Sequence, residues 1–336
     1  MVALYVTSSE KGSGKTTVSA GLGKQLLNDG KKVTYFKPVI AGGQSPPQEG
    51  MDSDVTFIKH LFALTESAEL LNPVLQDNKN LPNKIKEAYN KISKDKDVVI
   101  IEGISDQLKS APDIVRALDA RVIIVEAYSQ ELLKSEEGYK GLGSNLLGTV
   151  LNKVPGNIME RLPGEISARA GKNGTTVLGI IPEDRALMAP TIGELAGYIK
   201  GEILSGADKS EDLVESFMIG AMSVDSGLNY LSQRDNKAVV VRSERPDMQL
   251  AALETSTKCL VIAGFTPPKP IIVARATEKN IPIIFAGDDI STIASDIETA
   301  LASTKLSQEG KLPRIMEIIG QSLNLPAVYQ GIGIAA

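Results

Sequence analysis

Residues 2–17 read VALYVTSSEKGSGKTT, an apolar run of strand length, a loop of small and charged residues, then Lys15 and two threonines. A strand that turns through glycines into a helix lets successive backbone N–H groups and a lysine point at phosphate oxygens, at the positive end of the helix. Gly12 and Gly14 permit close backbone approach, Lys15 supplies a mobile charge and Thr16 a hydroxyl for a divalent cation. One position departs from the usual G-x-x-x-x-G-K-[ST] spacing, because Ser9 stands where the first glycine belongs. Serine serves there only if the backbone needs no positive φ, and otherwise the loop is a degenerate cradle. The expectation is a loop that binds ATP with Mg2+, with Lys11, Gly12, Ser13, Gly14, Lys15, Thr16 and Thr17 as its nucleotide-facing residues.

Working outward, Val18, Leu22 and Leu26 recur every four positions and NDG closes the segment, as an amphipathic helix with a glycine stop requires. The runs VALYVTS, KVTYFKP, DVVIIEG, RVIIVEA, LLGTVLNKV and TTVLGIIP are apolar at nearly every position, which suits strands of a parallel sheet covered on both faces. Residues 1–207 therefore read as a doubly wound, mainly parallel α/β domain. Apolar periodicity lapses at SGADKSE, Ser205 to Glu211, which reads as a linker. A second, smaller α/β series occupies 212–304, with a helix around LVESFMIGAMSVDSGLNYL and strands AVVVR, CLVIAGF and PIIFAG. A helix and tail fill 305–336.

Two carboxylates and one lysine belong beside the loop. Glu102 ends the apolar strand DVVIIEG at the sheet edge where ligands of such folds lie. Asp54 and Asp52, at the start of DSDVTFIKHL, could cap a helix or face a metal ion held by Thr16, Asp54 and Glu102. Lys37 ends the second strand in YFKPVIAGG, and Gly42 and Gly43 let the following chain turn near a ligand. Its alternatives are a crevice lysine and a surface lysine at a strand end. Asn152, in LNKV, is read either as a contact to the nucleotide base or as part of a strand-end turn.

Composition excludes several other classes. The 336 residues suit two domains, and 42% hydrophobic with 23% charged residues is an ordinary globular mixture. Lys plus Arg is 36 against 41 Asp plus Glu, net charge −5, without the basic surplus expected for nucleic acid or membrane partners. One cysteine, Cys259, and one histidine, His60, argue against a disulfide framework, a zinc site or a Ser-His-Asp triad. Cys259 opens the run CLVIAGF and reads as a buried strand residue. With no apolar run near the roughly 20 residues that span a bilayer, the expectation is a cytoplasmic protein.

Taken together, the loop, KPV with its glycines, DSD, IIEG and LNKV resemble the dethiobiotin synthetase branch of the P-loop ATPases, which includes the cobyrinic acid a,c-diamide synthases. LGIIPEDRALMAPTIGEL is similar to the dethiobiotin-synthetase-like region at the N-terminus of long phosphotransacetylases. MIGAMSVDSGLNYL through PIIFAG resembles the DRTGG domain that follows it there. The resemblance implies a P-loop NTPase fold followed by a three-layer DRTGG-like α/β domain, ATP phosphates on Gly12 to Thr17, and magnesium on Thr16, Asp54 and Glu102. It also implies a catalytic pair, Lys37 and Lys15, near the γ-phosphate, and a homodimer. Lys11 is similar to the signature lysine of ParA/MinD-type ATPases, shifted by one residue, with a solvated loop lysine as the alternative.

The sequence also departs from the resemblance. Lys11 and Gly12 replace an acidic and hydroxyl pair, Ile104, Ser105 and Asp106 replace GAGG, and SERPDMQ keeps Arg245 and Asp247 of the second domain's signature but not its glycines. The resulting expectation is a nucleotide-dependent regulatory or sensor protein of metabolism without acetyltransferase activity, with a small-molecule ligand on the second domain. The alternative is a stand-alone ATP-dependent carboxylase, ligase or amide-forming enzyme.

Overall fold

The computed structural model describes residues 1–40, 52–75, 80–104, 110–129, 137–162, 164, 176–303 and 309–334. It divides into two compact units, Met1–Glu183 together with Ser307–Ala336, and Asp184–Leu306.

The first unit carries the predicted parallel sheet. Its strands β1 (Val2–Thr7), β2 (Val33–Phe36), β5 (Val98–Glu102), β6 (Arg121–Ala127), β7 (Leu146–Val154) and β8 (Val177–Pro182) lie in the order β2-β5-β1-β6-β7-β8, all parallel. The pair β3 (Val39–Ile40) and β4 (Val74–Leu75) forms a separate short ladder. Ala3 to Val6, Val98 to Ile101 and Val122 to Val125 are buried throughout, as near-continuous apolar runs require. Each such Val, Leu or Ile side chain contributes about 1.5–3 kcal/mol by leaving water. The central position of β1 makes its carboxyl end the switch point. The chain runs from it toward β2 on one side and continues through β6 to β8 on the other, opening a crevice there.

Helix α1 (Lys15–Asn28) leaves that crevice and is buried from Lys15 to Gly23. Residues 309–334, whose role the sequence does not assign, return to this unit. Their helix Leu312–Ser322 packs on α1, where Gly21 is needed because a Cβ there would collide with Ile319. Beyond it, Leu323 bridges Gly179 and Asn324 donates its N–H to the Leu178 carbonyl at 2.7 Å, while Tyr329 hydrogen-bonds Asp29. The exposed edge of β8 is thereby covered.

The second unit is a three-layer α/β fold. Its sheet has the order β10-β11-β12-β13-β9, with β9 (Glu202–Ser205) antiparallel to β13 (Ile283–Ala286), and β10 (Ser216–Ile219), β11 (Lys237–Arg242) and β12 (Thr257–Ala263) parallel. Ile192, Leu195, Ile293 and Ile297 pack on one face, and Leu231, Met248, Ile272 and Ala276 on the other.

Three details differ from the sequence reading. The chain passes between units at Asp184, upstream of the 205–211 segment, and Glu202–Ser205 forms the edge strand of the second sheet. The stretch LVESFMIGAMSVDSGLNYL is half strand, β10, and half helix, Val224–Leu231, because a short apolar run fits either period. The tail packs on the first unit rather than standing apart.

Cys259 lies fully buried on β12, and burial pushes its thiol up to about 12. A thiol raised this far stays protonated at pH 8, so the native protein is expected to leave a thiol-exchange reagent unreacted. One equivalent should react on unfolding in guanidinium, and stoichiometric reaction of the native protein would contradict the burial.

Candidate functional site

At the crevice, the loop after β1 turns through Gly12 and Gly14, both at positive φ (77° and 99°), while Ser9 has no positive φ. Its backbone therefore does not demand glycine. Gly14 does, because a Cβ there would strike the Asn152 amide. No side-chain hydrogen bond caps α1 and no acidic residue sits in its first turn, so the positive end of the helix opens toward the loop. Lys15 is buried, and its Nζ donates to Ser8 Oγ at 2.7 Å, while Ser8 Oγ donates to the Glu10 carbonyl at 2.7 Å.

Thr16, Asp54, Glu102 and Lys37 converge. Thr16 Oγ1 donates toward Glu102 Oε1 at 3.1 Å and Asp54 Oδ2 at 3.3 Å. Lys37 Nζ lies 2.8 Å from Asp54, 3.2 Å from Asp52 and 3.5 Å from Glu102. Burial works to lower the Lys37 pKa, but the charges of Glu102, Asp54 and Asp52 outweigh it and hold the ammonium above the usual lysine range. Asp52 caps α2 (Ser53–Leu61) by accepting the Asp54 N–H at 2.8 Å, which frees the Asp54 carboxylate for the crevice.

The remaining predicted residues lie around this centre. Asn152 donates to the Ser13 carbonyl at 2.8 Å and accepts the Lys153 N–H at 2.9 Å, so its amide braces the loop. Thr17 is buried on the first turn of α1, and Lys11 is exposed on the outside of the loop. Gly42, Gly43, Ser105 and Asp106 lie outside the described residues.

Sequence reasoning missed two side chains. Tyr35, fully buried, donates its hydroxyl to Glu102 Oε2 at 2.8 Å. Burial and then the Glu102 charge hold this phenol well above its usual range, so it stays a donor. Glu126, 2% exposed, accepts the Ser9 N–H at 2.7 Å and the Ser9 hydroxyl at 2.8 Å. The signal was present, because Glu126 ends RVIIVEA just as Glu102 ends DVVIIEG.

The residues fit a nucleoside triphosphate with magnesium. Ser13 Oγ is buried without a hydrogen-bond partner among the described residues, and no side-chain hydrogen bond caps the start of α1. Among the described residues no three His, Cys, Asp or Glu side chains are grouped to hold a metal by themselves. Magnesium suits such a site, since it keeps waters and binds through one or two carboxylates together with substrate phosphates. Bound there, it would neutralise phosphate charge beside Thr16, Asp54 and Glu102.

The Lys37 cluster has a testable sign. A lysine whose folded pKa is raised contributes stability that is complete below the unfolded value near 10.4 and fades as pH rises through the folded value. Lys37→Met is therefore expected to cost about 1–3 kcal/mol, discounted for partial exposure, across pH 6 to 9. The deficit should shrink as pH rises above about 10.4, where the unfolded-state lysine gives up its proton while the folded one keeps it. Urea denaturation against pH measures it, and a pH-independent deficit would show that the ion pairs do not stabilise the fold.

The AAA domain family matches residues 2–191 and the DRTGG domain matches 194–300. Phosphate acetyltransferase of Nitratidesulfovibrio vulgaris is 25% identical over 324 residues, covering 85% of this chain and 45% of that protein. ATP-dependent dethiobiotin synthetase of Methanococcus vannielii is 28% identical over 174 residues, covering 45% of this chain and 79% of that protein. The MinD cell division protein of Aquifex aeolicus shares 20% identity at a TM-score of 0.37, covering 56% of this chain and 84% of that one. Among the described residues no helix is long and apolar enough to cross a membrane. The expectation of a sensor or stand-alone ligase without acetyltransferase activity is corrected here. Five curated relatives, at 22–25% identity and over 75–99% of the chain, are named phosphate acetyltransferase. The chain spans about half the length of these relatives, 39–52%. With its loop, parallel sheet and match over residues 2–191, the chain belongs to the AAA domain family of P-loop proteins and carries a DRTGG domain after it.

Proposed function

We propose that the chain serves the transfer of an acetyl group to phosphate, the reaction for which its curated relatives are named, and contributes an ATP·Mg2+ site to it. The observation that carries the nucleotide half is the convergence of Thr16, Asp54, Glu102 and Lys37 on the uncapped start of α1. A helix N-terminus with glycines at positive φ and a buried lysine favours a polyphosphate over a neutral ligand. In this reading Gly12 to Thr17 hold the phosphates, and Lys15 and Lys37 face the γ-phosphate, where ammonium groups stabilise charge on the phosphoryl oxygens. Thr16 ligates magnesium, with Asp54 and Glu102 orienting its waters. The acetyl-transfer half is supported by similarity to phosphate acetyltransferases that spans both units. A homodimer, carried by resemblance alone, a cytoplasmic location and a small-molecule ligand on the DRTGG unit complete the reading.

Titration calorimetry with ATP and ADP in the presence of magnesium is expected to give saturable binding that Lys15→Ala reduces at least about 100-fold, in line with loss of a buried charge-assisted contact. Wild-type affinity in that variant would sink the cradle. The second half is checked by acetyl phosphate formation from phosphate and an acetyl thioester with the purified chain. A rate above the protein-free blank is expected, and a rate equal to the blank would remove acetyl transfer from this chain while leaving nucleotide binding in place.

A further inference from the structure

Glu126 takes no part in the site as read from the sequence, yet it is one of the most deeply buried carboxylates among the described residues of the first unit, at 2% exposure next to the end of strand β6. A charged group so placed is costly unless hydrogen-bonded. Its two oxygens accept from Ser9, one from the main-chain N–H at 2.7 Å and the other from the hydroxyl at 2.8 Å. Ser9 is the residue that departs from the usual loop pattern. A glycine there would offer only the N–H, so the serine and the glutamate form one device. The neighbouring residues extend it. Ser8 donates to the Glu10 carbonyl across Ser9 and receives Lys15 Nζ, so fixing Ser9 to β6 also fixes the shelf on which Lys15 rests.

We infer that Glu126 is a positioning residue for nucleotide binding, a clamp from β6 that holds the phosphate loop in its open-cradle shape through Ser9. The clamp stands in for the conformational role that glycine plays at that position in other loops. It rests on reading the loop as a nucleotide cradle. A preformed loop does not have to be ordered when the phosphates arrive, and affinity rises by the ordering cost avoided.

The test compares wild type, Glu126→Gln, Ser9→Ala and the double variant by titration with ATP·Mg2+. Amide hydrogen exchange of residues 8–14 is followed in the nucleotide-free protein. Each single change is expected to weaken ATP·Mg2+ binding about tenfold, as loss of charge-assisted hydrogen bonds does. The double variant should lose less than the product of the two single losses, because both changes weaken one clamp, although Ser9→Ala leaves the main-chain N–H bond to position 126 in place. Glu126→Gln should also speed exchange across the loop before any nucleotide is added. Glu126→Asp, which keeps the charge and shortens the reach, replaces the glutamine variant if that one does not fold.

A purely structural role would lower the melting temperature equally with and without ATP·Mg2+ and leave affinity within twofold, and that result overturns the inference. So does a double variant whose losses multiply. If wild type binds ATP·Mg2+ but Glu126 affects neither affinity nor exchange, the clamp fails and the nucleotide reading stands. If wild type binds no nucleotide while the glutamine variant still speeds loop exchange, the clamp on the loop stands and the nucleotide reading fails.

Discussion

Glu102 is a carboxylate at 3% exposure, and the crevice is organised by the need to compensate it. An ionised carboxylate taken out of water is tolerated only when hydrogen bonds and opposite charge surround it. Tyr35 from β2 supplies a hydroxyl to one oxygen and Thr16 from α1 supplies another to the second, with the Lys37 ammonium 3.5 Å away. Tyr35 and Lys37 come from β2 and the residue just past its end, and Thr16 from α1. The register that pairs Tyr35 with Ile100 and Val6 with Glu102 is what brings them to one point. Because side chains in a strand alternate faces, a slip of one residue in either ladder would turn Tyr35 or Glu102 to the other face of the sheet and leave the charge without its partners.

The same constraint explains what was legible. The strand, loop and helix at residues 2–28 announce themselves because three independent signals coincide, an apolar run, glycines just before a lysine, and a period near four. Glu102 was readable since an acid that ends a fully apolar strand has no structural reason to be there. By that rule Glu126 was equally readable, but its partner Ser9 looked like a defect in a motif rather than half of a pair. Tyr35 was hidden for a different reason. In an apolar run its ring is sufficient to explain burial, and nothing in one dimension says where its hydroxyl points.

Boundaries were less legible than sites, and β9 shows why. Glu202–Ser205 alternates weakly, stands at a sheet edge and pairs with a strand some eighty residues later, so neither periodicity nor composition distinguishes it from the polar segment that follows. Strand β10 failed in the opposite direction. Phe217 to Ile219 is apolar without a break and continues into Met222, which satisfies a helical stripe as well as a strand. The packing of Ile319 against Gly21 could not be read from either residue, because a glycine inside a helix reports a close neighbour without naming it.

Charge at the crevice links these observations to the proposed ligand. Asp52, Asp54 and Glu102 carry three negative charges against the two ammonium groups of Lys15 and Lys37, and Glu126 adds a fourth negative charge behind the loop. A triphosphate brought to this site without a cation meets a field that is negative overall, even though the loop's backbone and Lys15 attract it. A divalent ion on the phosphates would offset that negative balance, and the carboxylates around Thr16 would become partners rather than opponents. Nucleotide and magnesium should therefore bind as one unit, with neither held strongly alone. In the proposed reading Lys37, paired with Asp54 and Asp52, holds the positive position that a bound cation would take over, and its long side chain could then turn toward the phosphate.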